Sequence, residues 1–302
     1  MTRTYQSMGR GLDHDSFPMR LWHKAKKLGV WDPRDIDFTR DRADWLEMDG
    51  EEREALLQRH ALFQAGEEAV TLDLLPLVRT AAREGRLEEE MYLTSFLWEE
   101  AKHVELFRRF LDEVVVDVPD LTQFFTPTYE RIFGHELPSS LARLEEDPSP
   151  VAQAEASVTY NLIIEGVLAE TGYYSFQRTL EANGILPGMQ QAVRKLRSDE
   201  SRHLAYGVYL LSRLVAEHGE PVWQAIERRM GELLPMVIAL IDETWVPYRT
   251  KPHPFGLTQD EFTEYATGQF QKRLERIERA RRQSTTEVVR MEIVDELTPA
   301  SA

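Results

Sequence analysis

The sequence predicts an all-α protein built as a helical bundle, and three observations predict it. Apolar residues recur at helical spacing through most of the 302 residues. The long periodic stretches are bounded by helix start and stop signals and joined by short links. No convincing alternation of apolar and polar residues marks a strand.

The elements follow in chain order. Residues 1–48 are irregular in pattern and hold turn signals such as Asp32-Pro33, with one short helix expected at 21–27. Asp49, followed three residues later by Glu52, has the form of a capping box and starts a long helix. Gly85 would stop that helix and Pro76 would kink it on the way. A second helix is expected over 87–116, ended by Pro119, and shorter pieces fit 122–133 and 139–145. Ser149-Pro150 is an N-cap and first-turn pair for a helix that reaches Asn183-Gly184. Further helices are expected over 187–218, over 221–248 with Pro235 inside, and over 260–282. The chain reads as a single domain over 1–302, with its core at about 49–248, a lead-in at 1–48 and a polar tail at 283–302.

Composition narrows the chemistry. Apolar residues make up 42% and charged residues 29%, a globular profile. A formal net charge of −16 argues against a nucleic acid or an anionic membrane as partner, since phosphate binding needs a basic face. No apolar run approaches the roughly 18 residues of a membrane span. The first twenty residues lack the apolar stretch of a secretory signal, so a cytoplasmic location is expected. The absence of cysteine rules out disulfides, thiolate nucleophiles and iron–sulfur clusters. Any metal site must therefore use His and carboxylate ligands.

Two Glu-x-x-His sequences occur, Glu100-x-x-His103 and Glu200-x-x-His203. About one such match is expected by chance in a chain this long. Two copies, each within its own long helix, carry more weight. Residues three apart share a helix face and can converge on one ion. Leu93, Phe96, Phe107, Phe110 and Val114 lie on the face of the first pair, and Val193, Leu196, Leu210 and Leu214 on that of the second. Each pair therefore sits in a stripe that should face the core, where an ordinary surface Glu does not belong.

Two more glutamates share that position. Glu67 lies on a stripe with Phe63, Val70, Leu74 and Val78, and Glu165 on one with Val158, Leu162, Leu168 and Phe176. The neighbouring Glu68 lies on a more polar stripe, which favours Glu67. Glu67 precedes Glu100 by 33 positions and Glu165 precedes Glu200 by 35. The chain thus reads as two similar helix pairs, each giving one Glu and then one Glu-x-x-His, the arrangement of di-iron and di-manganese carboxylate bundles. Four buried carboxylates without a counter-charge would be very unfavourable, and two divalent cations balance them. A mixed oxygen and nitrogen shell suits iron or manganese. Asp199, just before Glu200, could accept the free ring N–H of His103. Glu99 reads as a surface residue paired with Lys102. From spacing alone, Val70 and Tyr160 are core residues.

The six-residue set, with Asp199-Glu200-x-x-His203, resembles the small-subunit superfamily of class I ribonucleotide reductase over about 49–248. It is most similar to the ligand-binding oxidases of that superfamily, through Gly66-Glu67-Glu68-Ala69-Val70 and Tyr160-Asn161-Leu162-Ile163-Ile164-Glu165. The resemblance implies a ferritin-like bundle with additional helices, assembled as a homodimer. It implies one manganese and one iron ion per chain, with two iron ions as the alternative. Manganese would lie at Glu67, Glu100 and His103, and iron at Glu165, Glu200 and His203, with Glu100 bridging. It also implies a bound long-chain fatty acid, two-electron oxidation by molecular oxygen, and an ether bond joining Val70 to Tyr160. The alternative function is the radical-generating subunit of a reductase. That subunit usually starts its ligand set with Asp where this chain has Glu67, and carries a radical Tyr where this chain has Phe107. It also carries a relay Tyr in its C-terminal tail, and this chain has no Tyr after Tyr265. A storage cage fits poorly with the extra helices, and a metal-free scaffold with the core-facing glutamates.

Overall fold

The computed structural model describes residues 5–292, which are helical and carry no strand. In chain order, α1 is Phe17–Leu28, α2 Thr39–Glu47, α3 Gly50–Asp73, α4 Leu75–Arg83 and α5 Leu87–Phe110. Short helical turns lead on to α6, Pro150–Ser157. A π-helical stretch, Val158–Ala169, continues α6 directly into α7, Glu170–Asn183. Then follow α8, Pro187–His218, α9, Glu220–Thr244, and α10, Gln259–Arg279.

Local chemistry sets the boundaries. The capping box at Asp49 forms in both directions at 2.9 Å each, so α3 begins where two orphan donors find side-chain acceptors. Pro76 breaks the expected long helix instead of kinking it: α3 ends at Asp73 and α4 restarts with Pro76 in its first turn. Gly184 closes α7 in the left-handed region at φ +62°, where a residue with a Cβ is strained. The expected helix over 149–184 forms, but its middle third is π-helical.

The lead-in holds two long helices where one short one was expected. Asp41 of α2 accepts from the backbone N–H of Gly188 and Met189 at 2.8 and 2.7 Å, and Asp44 accepts from Leu186 at 2.8 Å. These carboxylates satisfy the open N-terminus of α8 and oppose its dipole. Because α2 buries acids for that purpose, its apolar periodicity is weak and the sequence hides it. The expected tail contains a short helix, Thr285–Val289, whose Val288 is buried, and residues 293–302 lie outside the described residues.

Four segments make the inner bundle. α3 packs on α5, and the 158–169 stretch packs on α8. A Cβ on Gly207 of α8 would stand 2.4 Å from the Cβ of Asn161, so only glycine allows this approach. Phe96, Phe107, Leu196 and Leu210 are fully buried between these helices, as their stripes predict. Among the described residues, no helix is long and apolar enough to cross a membrane.

Candidate metal centre

The bundle brings all six motif residues to its middle. Glu67 comes from α3, Glu100 and His103 from α5, Glu165 from the π-helical stretch, and Glu200 and His203 from α8. The exposed neighbour Glu68 points away, while Glu67 is buried. Two overlapping groups result: Glu67, Glu100, His103 and Glu200 in one, and Glu100, Glu165, Glu200 and His203 in the other, with donor atoms within 4.8 Å of one another in each. Glu100 reaches both groups, as expected of a bridge. Glu200 does so too: one oxygen lies 3.3 Å from His103 Nδ1 and the other 3.5 Å from His203 Nδ1.

Both imidazoles are held from behind. His103 turns Nδ1 to the carboxylates and Nε2 to Asp199, 3.3 Å away. His203 turns Nδ1 to Glu100, 2.9 Å away, and Nε2 to Glu99 at 2.9 Å. An acid behind a ring nitrogen fixes the tautomer and leaves the other nitrogen's lone pair free. Glu99 is therefore not the surface partner of Lys102. It is fully buried and takes the ring of His203 and the guanidinium of Arg202, 2.6 Å away. Lys102 instead reaches Asp199 at 3.0 Å, together with the carbonyl of Gly29. The sequence held the clue, since Glu99 stands to Glu100-x-x-His103 as Asp199 stands to Glu200-x-x-His203.

Further residues had no motif to announce them. Trp31 Nε1 donates to Asp199 at 2.8 Å. The buried phenol of Tyr173 donates to Glu67 at 2.6 Å, and Asn161 donates to Glu165 at 3.1 Å. Tyr173 follows Glu165 by eight residues, about two helical turns, which was the one available signal.

Electrostatics describe a site waiting for cations. Burial pushes the Glu67 carboxyl up to about 8, against the opposing pull of His103. Glu165 rises well above the usual carboxylate range through burial and the nearby Glu200. Burial alone would also raise Glu100, but His203 and His103 outweigh it and hold it below the usual range. Burial would make both imidazoles harder to protonate, yet hydrogen bonds and charges from the surrounding acids raise them well above the usual histidine range. Divalent cations bound here would displace protons from these acids and imidazoles.

The residues fit two such ions on a direct observation. Glu100 Oε1, His103 Nδ1, Glu165 Oε1 and His203 Nδ1 are buried without a hydrogen-bond partner, although opposing donor atoms crowd within 4.8 Å. Buried polar atoms are otherwise almost always satisfied. Atoms left open that converge on common points have an arrangement that could hold metal ions.

Two Glu-x-x-His pairs and two single glutamates inside a helical bundle define a ferritin-like, di-metal carboxylate protein. The chain matches the family model for the ribonucleotide reductase small chain over residues 16–281 and belongs to that family. The match extends beyond the 49–248 legible from motifs. Among solved structures it is similar to a valine-to-leucine variant of an R2-like ligand-binding oxidase with an anaerobically reconstituted Mn/Fe cofactor. That chain is 38% identical over 91% of this chain and 98% of its own, with a TM-score of 0.85. A valine-to-isoleucine variant, reconstituted aerobically, is 37% identical over 91% and 99%, with a TM-score of 0.87. A tyrosine-to-phenylalanine variant gives 38%, 91%, 98% and 0.85. This chain is accordingly a di-metal oxidoreductase.

Beside the site lies a largely apolar cavity, in which the centres of water-sized molecules can occupy about 170 Å³. Glu67, Glu100, Glu165 and Glu200 line one part of it, with Val70, Phe63 and Ile164 nearby.

Proposed function

We propose that this protein is an oxygen-activating oxidase that holds one manganese and one iron ion and performs two-electron oxidation beside a bound long-chain fatty acid. The observation that carries the reading is the set of four unpartnered donor atoms in a buried cluster of carboxylates and imidazoles. The similar R2-like oxidases carry Mn/Fe, which supports the mixed pair. Glu67, Glu100 and His103 would hold the manganese, and Glu165, Glu200 and His203 the iron, with Glu100 shared by both groups. Bound metals supply the electrons for oxygen reduction and the oxidising power for a C–H bond.

The chain's own residues do the rest. Asp199 and Glu99 orient the two imidazoles and strengthen them as donors. Tyr173 and Asn161 each hold one carboxylate in position. The apolar walls exclude water, and the fatty acid lies along them with its carboxylate toward the ions. Unit organisation follows the same reading: a single domain over 1–302, acting as a cytoplasmic homodimer.

Val70 and Tyr160 join through an ether bond. Both are buried in one hydrophobic cluster, and the phenol oxygen of Tyr160 has no hydrogen-bond partner. In the π-helical stretch, hydrogen bonds run from residue i to i+5, so each turn takes more residues than in an α-helix. Tyr160 therefore stands about one turn before Glu165, closer in angle than the turn and a half of an α-helix. The Cβ–H of Val70 and the O–H of Tyr160 break, a C–O bond forms, and two electrons and two protons pass to molecular oxygen.

The test is anaerobic loading with both metals, then oxygen, followed by anomalous scattering at the two ions, peptide mass spectrometry and lipid extraction. The expected result is distinct manganese and iron positions, a linked Val70–Tyr160 peptide pair absent from Tyr160→Phe, and a released fatty acid. Two iron ions would overturn the mixed pair. A stable tyrosyl radical with no linked peptide would favour the reductase subunit.

A further inference from the structure

One cation lines the cavity beside the metal site without a carboxylate next to it. Arg59 of α3 is half-buried, and no carboxylate among the described residues lies within ion-pair distance of it. The fully buried arginines are each paired: Arg202 meets Glu99 and Asp199, Arg213 meets Glu89 and Glu217, and Arg273 meets Glu170. Arg59 donates once, to the Thr179 hydroxyl at 3.1 Å, and its guanidinium lies 5.3 Å from the Phe176 ring centre. Burial brings its pKa down to about 10, still charged at neutral pH.

Arg59 also lines the cavity that the metal-site glutamates line. It precedes Glu67 by eight residues on the same helix, about 12 Å along the axis. Leu62, Phe63 and Gly66 line the interval. Around Arg59 the lining turns polar, with Gln58, Thr244, Tyr248 and His253. His253 takes a hydrogen bond on Nδ1 from the N–H of Phe255, and burial brings its pKa down to about 4, so at neutral pH it adds no positive charge. The cavity is thus apolar in its middle and polar at both ends, with a fixed cation at the end away from the metals. A half-buried guanidinium without an anion is unfavourable, and a ligand that brings one relieves it.

We propose that the ligand of this cavity is polar at both ends: a straight-chain acid whose far end carries a second carboxylate, or a similar anion, held by Arg59. The inference rests on the lipid-binding reading above and narrows it from fatty acids in general to double-headed ones. Arg59 sets which acid is accepted, while the metal centre holds the near end.

The test uses the full chain loaded with both metals. Protein is equilibrated with equimolar pairs of straight-chain mono- and dicarboxylic acids of matched length, and the bound acids are recovered and weighed by mass spectrometry. The native protein should retain the diacid over the monoacid by about ten-fold or more, the size of one charge-assisted pair. Arg59→Met should bring that ratio to about one, and Arg59→Lys should restore part of it, with the helical spectrum and metal content unchanged. A ratio near one in the native protein, or an unchanged preference in Arg59→Met, overturns the role of Arg59 while the lipid reading stands. If neither acid is retained at any length, the lipid reading falls as well.

Discussion

The two motif-bearing helices carry the same five-residue order, and they do not carry the same load. Glu99-Glu100-Ala101-Lys102-His103 on α5 and Asp199-Glu200-Ser201-Arg202-His203 on α8 both read acid, Glu, any residue, base, His. Each acid serves the histidine of the opposite helix. Asp199, however, gathers Trp31, Lys102, His103 and Arg202, whereas Glu99 gathers Arg202 and His203. The single glutamates differ too: Glu67 sits on a regular α-helix and Glu165 on a π-helix. A sequence repeat therefore gives two ion positions with the same donor types and different supports. An acid already shared among four donors lends less charge to its imidazole than one shared between two. That inequality gives the two positions donors of different strength.

Five substitutions break or sharpen this comparison. The largest effect is expected of Glu100→Ala, which removes a carboxylate that both halves share. It should abolish paired binding, and elemental analysis that still finds two ions per chain would refute the bridge.

A third buried histidine gives a contrast between ring environments. His60 packs near Phe107 and Phe110 and bonds the Phe107 carbonyl at 2.8 Å, and burial brings its pKa down to about 4. The folded value lies below the unfolded one, so between pH 4 and 6.5 the unfolded chain binds more protons and acid destabilises the fold. The ceiling of that loss is about 3 kcal/mol. Denaturant titrations of native protein and His60→Gln across that range should converge as pH falls, and parallel curves would show that His60 contributes nothing.

Next come the outer acids taken singly. Asp199→Asn should weaken the ion at His103, and Glu99→Gln the ion at His203, each by about 10–100-fold. Metal titration followed by anomalous scattering identifies which position empties, and loss of the same position in both variants would contradict the crossed pairing. The smallest effect is expected of Glu68→Ala, within about 0.5 kcal/mol in stability and with full metal content, because that side chain is exposed.

Much of this was legible in the sequence, for physical reasons. Chains that bury carboxylates must place them on apolar stripes, so Glu67, Glu100, Glu165 and Glu200 stood out against their neighbours, and helix caps at Asp49 and Gly184 marked the frame. What escaped notice depends on contacts between distant segments. Glu99 has a basic neighbour, Lys102, three positions along the helix that could have paired with it, and only the approach of α8 turns it into a support for His203. The π-helical stretch leaves no trace in apolar spacing. Arg59 shows no pattern at all, because its meaning lies in the acid that is missing near it.

The exchange of acids between helices bears on when the site comes into being. His103 finds its backing 96 residues further along the chain, and His203 finds its own 104 residues earlier. A nascent chain that has released only its first helix pair holds neither imidazole in a fixed tautomer. The site thus has no half-built form: α5 and α8 must dock before either ion position is complete, and metal capture belongs to the end of folding.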